Sequence, residues 1–171
     1  MELKYKDIVI REATVEDAAQ LCSWWNDGRV MAHAGFPNGL GTTVERVAEQ
    51  IRENASRHII LYEGTPIGEM NYHDMGNAVC EIGIKICDFT MQNRGFGKVI
   101  LSLFIEGLFR EMGYQKIILD TNLNNKRAQH VYEQLGFKKL RVNADSWRNQ
   151  LGELQSSVDY ELLEKDFVKF F

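Results

Sequence analysis

No stretch of the chain approaches the roughly 20 consecutive apolar residues that a helix needs to cross a bilayer. The opening Met1-Glu2-Leu3-Lys4-Tyr5-Lys6-Asp7 is charged rather than shaped like a secretion signal, so a cytoplasmic location away from membranes is expected. Cysteine is scarce: Cys22, Cys80 and Cys87 have no metal-ligand spacing and cannot all pair, which suits a reducing compartment, buried thiols and no metal site. An excess of one charge is missing too. With 20 basic and 24 acidic residues interspersed there is no basic stripe for nucleic acid, whereas a net charge of −4 suits a cationic amine as partner. No internal repeat, low-complexity tract or linker interrupts the 171 residues, a length that suits one domain over 1–171.

What is present is a regular succession of periodic segments. Residues 8–11 alternate as a strand, and Thr14 then caps a helix whose apolar positions are Ala18, Leu21, Cys22 and Trp25. The glycine-rich stretch 26–41, with Pro37, breaks regularity. Thr42 and Glu45 have the spacing of a capping box that opens a second helix reaching about Ser56. Three strands follow over 57–62, 65–73 and 80–87; in the last, Ile82, Ile84 and Ile86 share one face and Glu81, Gly83, Lys85 and Cys87 the other. A helix over 97–112 carries Ile100, Leu101, Phe104, Leu108 and Met112 inward. A short strand at 116–119 leads to a helix starting near Asn124 or Asn125, with Ala128, Val131, Tyr132 and Leu135 on its apolar face. Strands at 137–144 and 153–162 close the chain as a hairpin around Trp147-Arg148-Asn149-Gln150. The sum is an α/β (α+β) fold with a mixed, mostly antiparallel sheet of about seven strands and about four flanking helices.

Between the 80–87 strand and the helix after it lies Gln92-Asn93-Arg94-Gly95-Phe96-Gly97. Two glycines one residue apart let backbone approach an anion closely, and the helix that follows offers unpaired N–H groups and its positive dipole end. Arg94 and Lys98 add positive charge. The ligand expected here bears phosphate, yet two nucleotide motifs are excluded. A dinucleotide fingerprint needs a third glycine where Ile100 stands, and a nucleoside-triphosphate loop needs Ser or Thr where Val99 follows Gly97-Lys98.

The pattern Gln/Arg-x-x-Gly-x-Gly/Ala resembles the pyrophosphate-binding loop of the acetyl-CoA-dependent N-acetyltransferase superfamily, known as GNAT. A second stretch, Asn125-Lys126-Arg127-Ala128-Gln129-His130-Val131-Tyr132-Glu133-Gln134-Leu135-Gly136-Phe137, resembles the family's later motif Asn-x-x-Ala-x-x-x-Tyr-x-x-x-Gly-Phe at every named position. The resemblance implies acetyl-CoA as acyl donor, a primary amine on a small molecule or peptide as acceptor, and direct attack in a ternary complex. It also implies that strands four and five splay to admit the cofactor, which Gln92, Asn93, Arg94, Gly95, Phe96, Gly97 and Lys98 hold by its pyrophosphate. Backbone at Ile86 and Cys87 would pair with the pantetheine arm, one N–H there polarising the thioester carbonyl. Asn125 has two readings, cofactor contact or helix cap.

Acetyl transfer also needs a proton for the leaving thiolate and a sink for the amine's proton. Tyr132 on an inward helix face fits the first role; the alternative is a core tyrosine satisfied by backbone. Glu81 on the open face of its strand fits the second; the alternative is a solvated or salt-bridged glutamate, with Glu69, Asn71 and His73 next in line. Trp24-Trp25-Asn26-Asp27 followed by Arg29, His33 and Phe36 resembles the opening of the branch containing ribosomal-protein N-terminal, polyamine and antibiotic acetyltransferases. These tryptophans are core anchors or substrate platforms, and Asp27 attracts an amine or caps a turn. No histidine stands beside Cys87 in sequence to activate a covalent route. A non-catalytic acyl-CoA-binding or sensor module is the rival function, and an exposed edge in the last hairpin offers a homodimer contact.

Overall fold

In a computed structural model that describes residues 1–171, the periodic segments assemble around one eight-stranded sheet in the order β1-β2-β3-β4-β5-β6-β8-β7. The strands are β1 (Leu3–Tyr5), β2 (Ile8–Glu12), β3 (His58–Tyr62), β4 (Thr65–Gly76), β5 (Val79–Ile86), β6 (Lys116–Asn122), β7 (Lys138–Arg148) and β8 (Leu154–Leu163). The helices are α1 (Ala18–Trp25), α2 (Gly28–Met31), α3 (Val44–Glu53), α4 (Phe96–Arg110) and α5 (Lys126–Gln134). The mixed, mostly antiparallel α/β fold expected from the periodicity is the one found. It has one more strand, because β1 is a three-residue segment returning through Lys6 at φ 52 to lay Leu3 against Ile10, too short to show in periodicity.

The feature that positions everything else is the single parallel pair. β5 and β6 pair only at Val79↔Lys116, Cys80↔Ile117 and Glu81↔Ile118. Beyond that point each is tied to its other neighbour, β5 to β4 as far as Gly68↔Ile86 and β6 to β8 as far as Asn122↔Ser157. The two strands therefore part, which is the expected splay of strands four and five, counted here as β5 and β6.

Each face of the sheet has its own core. Ile100, Phe104, Ile105 and Leu108 of α4 pack with Ile82, Ile117, Leu119 and Tyr160 in the larger one. α1 and α3 cover the other face, where Leu21, Trp24, Trp25, Val47, Ile51, Ile59 and Cys87 pack together. Both tryptophans are thus core anchors. Their burial makes α1 part of the fold rather than a mobile flap, each large apolar side chain contributing about 1.5–3 kcal/mol.

Local differences from expectation have local causes. Thr43, not Thr42, caps α3: its side chain accepts from the Arg46 amide at 3.3 Å. Thr42 is held outside the helix by Asn26, whose side chain takes its N–H at 2.8 Å and donates to its carbonyl at 3.0 Å. Asp27 caps α2 inside the stretch expected to be irregular, accepting from the Arg29 amide at 2.9 Å and pairing with its guanidinium at 2.8 Å. β7 runs four residues beyond 144 because a register shift between Asn143 and Trp147, with Asp145 at φ 47, lets it rejoin β8.

Candidate active site

A cleft of ≈ 800 Å³ opens where β5 and β6 part, within the size of small-molecule sites. Its walls include Glu81, Ile86, Gln92, Asn93, Gly95, Phe96, Gly97, Lys98, Asn125 and Tyr132, ten of the twelve residues singled out from sequence. Arg94 and Cys87 stand outside it.

One end of the cleft is built for an anion. Gly95 sits at φ 79 as the residue before α4, a backbone conformation in which a side chain is strained. A Cβ on Gly95 or Gly97 would meet nothing within 4 Å, so the space beside the loop is open. The amides of residues 93–98 donate to no backbone carbonyl, leaving them and the helix dipole free for a ligand. Around them stand Arg94, Lys98 and Arg127, none of which pairs with a carboxylate. Arg94 packs on the Phe96 ring at 5.1 Å and Lys98 on Phe170 at 5.1 Å. Arg127 reaches from α5 to donate to Asn93 Oδ1 at 2.8 Å and Gln92 Oε1 at 2.9 Å, and Gln92 Nε2 in turn donates to the Ile86 carbonyl at 3.1 Å. Arg127 lies inside the second motif at a position that motif leaves open, so nothing in the pattern singles it out.

The middle of the cleft is the bare edge of β5. The Cys87 amide donates to the Ile67 carbonyl at 2.8 Å and is committed to β4. Antiparallel bonding alternates, so Ile84 and Ile86 turn their amides the opposite way, toward the gap that β6 has left. The backbone contact expected at both Ile86 and Cys87 is therefore available at Ile86 but not at the Cys87 N–H. The Cys87 thiol is buried in the smaller core with its sulfur 3.6 Å from the Lys85 carbonyl, and burial pushes it well above the usual thiol range. A buried, protonated thiol disfavours the thiolate that a covalent route through Cys87 needs.

Tyr132 reaches the same gap from the other side. The residue is 7% exposed, its ring 5.7 Å from Phe137 and 5.9 Å from Tyr160. Its hydroxyl hydrogen-bonds to nothing in the chain, yet the one sealed side-chain atom lacking a partner is His58 Nε2, so the phenol oxygen opens onto the cleft. Burial first, and then the charge of Asp120, raise its pKa and keep the phenol protonated. Of the two readings of Asn125 the helix cap is seen, its oxygen accepting from the Ala128 amide at 3.3 Å; the residue also lines the cleft.

Glu69 and Glu81, carboxylates of the β4–β5 pair, differ sharply. Glu81 sits opposite His73 on the cleft wall and takes part in no ion pair, while Asn71 and His73 bond each other at 3.0 Å beside it. Glu69 is 1% exposed and away from the cleft, held by Trp25 Nε1 at 2.9 Å, Arg57 at 3.1 Å and Lys85 at 3.4 Å. Both its oxygens are occupied, so it is a tie between elements and not a free base. The far wall of the cleft comes from Arg29, Val30, His33 and Ala34 with Trp147 of β7. Trp147 packs so closely on Gly35 that a Cβ there would lie 2.5 Å from the ring. Asp120 and Asn122 also line the cleft; they escaped notice in sequence because β6 was expected to stop at Leu119.

A family model described as "Acetyltransferase (GNAT) domain" matches residues 7–138. Aminoglycoside N(6')-acetyltransferase type 1 of Klebsiella pneumoniae is 25% identical over 150 residues, covering 77% of this chain and 74% of that protein. Two solved structures share the fold at a TM-score of 0.83: spermidine N-acetyltransferase from Vibrio cholerae in complex with CoA and spermine, at 17% identity over 95% of this chain and 98% of that one. The other, a ribosomal L7/L12 alpha-N-protein acetyltransferase in complex with coenzyme A, has 12% identity over 95% and 98% of the two chains.

Proposed function

The chain belongs to the GNAT acetyltransferase family, and from that premise we propose that it moves an acetyl group from acetyl-CoA to a primary amine by direct attack in a ternary complex. The observation that carries the proposal is the parting of β5 from β6 beside a helix start whose amides are unpaired and whose flanking cations lack acids. A diphosphate fits that corner: the glycines leave room, the amides donate and Lys98 and Arg127 supply charge.

Acetyl-CoA supplies the activated acyl group as a thioester. The chain's own residues do the rest. The edge of β5 at Ile84 and Ile86 offers main-chain groups to an extended pantetheine arm, and one such amide can stabilise charge on the carbonyl oxygen, worth a few kcal/mol of barrier. Tyr132 gives its proton to the departing sulfur. An alkyl ammonium titrates near pH 10, so a base must free its lone pair, and Glu81 does this directly or through water. His33, His73 and Trp147 bound the acceptor's side of the cleft. The names of the relatives point to acceptors such as an aminoglycoside, a polyamine or a protein N-terminus.

Binding and turnover are separable. Acetyl-CoA at about a hundred times its dissociation constant should stabilise the protein by about 2.7 kcal/mol in a thermal-shift assay. Gly97→Leu should fold as well as wild type, since its Cβ meets open space in the first turn of α4, and should lose that shift. An unchanged shift in Gly97→Leu would move the cofactor off this loop. A panel of amines with thiol detection of released coenzyme A then tests transfer; binding without release on any amine would favour a non-catalytic acyl-CoA-binding module.

A further inference from the structure

Lys98, Ser102, Glu106 and Arg110 follow one another along α4 at four-residue spacing, which makes them one polar stripe. Residues 166–171, which follow β8, lie against it. This segment is anchored first at the end of α5: the Val168 amide donates to the Leu135 carbonyl at 2.9 Å, and the Asp166 carbonyl passes so close to Gly136 that no side chain could stand there. On α4 the Phe170 amide donates to Ser102 Oγ at 3.1 Å and Lys169 Nζ reaches Glu106 at 3.0 Å. Ser102 is buried at this crossing.

The bonds along the stripe leave one residue over. Glu106 holds Lys169 and also, at 2.9 Å, Arg110, while Ser102 is taken by Phe170. Lys98 pairs with no carboxylate, and its ammonium lies 5.1 Å from the centre of the half-buried Phe170 ring. An aromatic face attracts a cation through its quadrupole yet carries no net charge. The ring therefore fixes the side chain without neutralising it. A carboxylate at position 170 would hold Lys98 too, but would cancel the charge that it presents to the cleft it lines.

Resting on the reading of this corner as the diphosphate site, we propose that Phe170 is a positioning residue for the cofactor: its ring, pinned through its own amide to Ser102 one turn below, holds the Lys98 ammonium ready for a diphosphate oxygen beside the free amides of α4. A lysine side chain loses much rotamer freedom when it is fixed, so holding it beforehand lowers the cost of binding. The same segment joins the two sequence motifs, running from Gly136 at the end of the second to Lys98 just after the first.

Calorimetric titration with coenzyme A separates positioning from packing. Phe170→Leu should weaken binding about fivefold, whereas Phe170→Tyr keeps an aromatic face and should bind as wild type does. Phe171→Leu is the packing control: that ring belongs to the same segment but meets Tyr5 and Lys169, so its loss should leave the affinity unchanged whatever it does to the melting temperature. Lys98→Met should weaken binding about tenfold, and adding Phe170→Leu to it should weaken binding no further, because the ring acts only through the lysine. Losses that multiply in the double variant, or an equal loss in Phe171→Leu, would overturn the inference. A readout that needs no ligand is the side-chain NMR signal of Lys98, which the ring should shift upfield in wild type and Phe170→Tyr but not in Phe170→Leu. If that shift is present and Lys98→Met still binds coenzyme A as tightly as wild type, the diphosphate reading of the loop fails. If Lys98→Met weakens binding and Phe170→Leu does not, only the role of Phe170 falls.

Discussion

Tyr132→Phe should lower kcat by about 100- to 1,000-fold while leaving both the KM for acetyl-CoA and the thermal shift it induces unchanged. The expectation follows from what the hydroxyl does and does not touch. No group in the fold bonds it, so its removal takes no hydrogen bond from the core and the ring keeps its contacts with Phe137 and Tyr160. Stability should therefore stay within about 0.5 kcal/mol of wild type. Only the reaction loses something: a thiolate with a pKa near 8.5 must leave without a positioned donor, and general-acid help is worth about 10²–10⁴-fold. Sign matters for the pH profile. Because the folded protein raises the phenol's pKa above its ordinary value near 10, the donor form persists through physiological pH, and no falling limb from Tyr132 should appear below about pH 10. Near-normal kcat in Tyr132→Phe would reduce it to a packing residue.

Glu69→Ala should destabilise the protein by about 3 kcal/mol, a fall in melting temperature of roughly 10 °C for a chain of this size, read by calorimetry. The carboxylate ties α1 through Trp25, the entry to β3 through Arg57 and β5 through Lys85, from the middle of the sheet. Removing it strands a buried indole N–H and two cations, and Arg57 also loses the anchor that holds it 5.0 Å over the Trp25 ring. The side chains of Arg57 and Lys85 keep 25% and 31% exposure, so water relieves part of the loss and sets the figure at the low end of the range for broken buried pairs. Glu69→Gln can still accept from Trp25 and should lose less. Glu81→Ala, by contrast, breaks no ion pair, and its effect belongs in turnover rather than in melting. A loss under about 1 kcal/mol in Glu69→Ala would mean the three elements are held by apolar packing alone.

Much of the fold and of the cleft lining was legible in the chain because a glycine-bearing helix start constrains residue types strongly. Gln92 to Gly97 and Asn125 to Phe137 announce themselves through glycines, a helix start and an inward tyrosine, and the strand that carries Glu81 alternates plainly. What escaped depends on contacts distant in sequence. That the Cys87 amide is spent and the Ile86 amide is not follows from a bond to Ile67, twenty residues away on another strand. Asp120 is polar and follows three apolar residues, so β6 was expected to end before it; pairing with β8 carries the strand on to Asn122. Trp147 was expected in a turn, but the bulge after Asn143 returns it to β7 and Gly35 receives it. Glu69 and Glu81 share a strand-face pattern in sequence; three donors from three elements make one structural and leave the other free.

The most direct test of the account is a crystal structure with coenzyme A bound. It should show diphosphate oxygens about 3 Å from amides between Gly95 and Lys98, the pantetheine arm along Ile84 and Ile86, and the sulfur beside the Tyr132 hydroxyl. A diphosphate bound elsewhere, with the start of α4 bare, would contradict it.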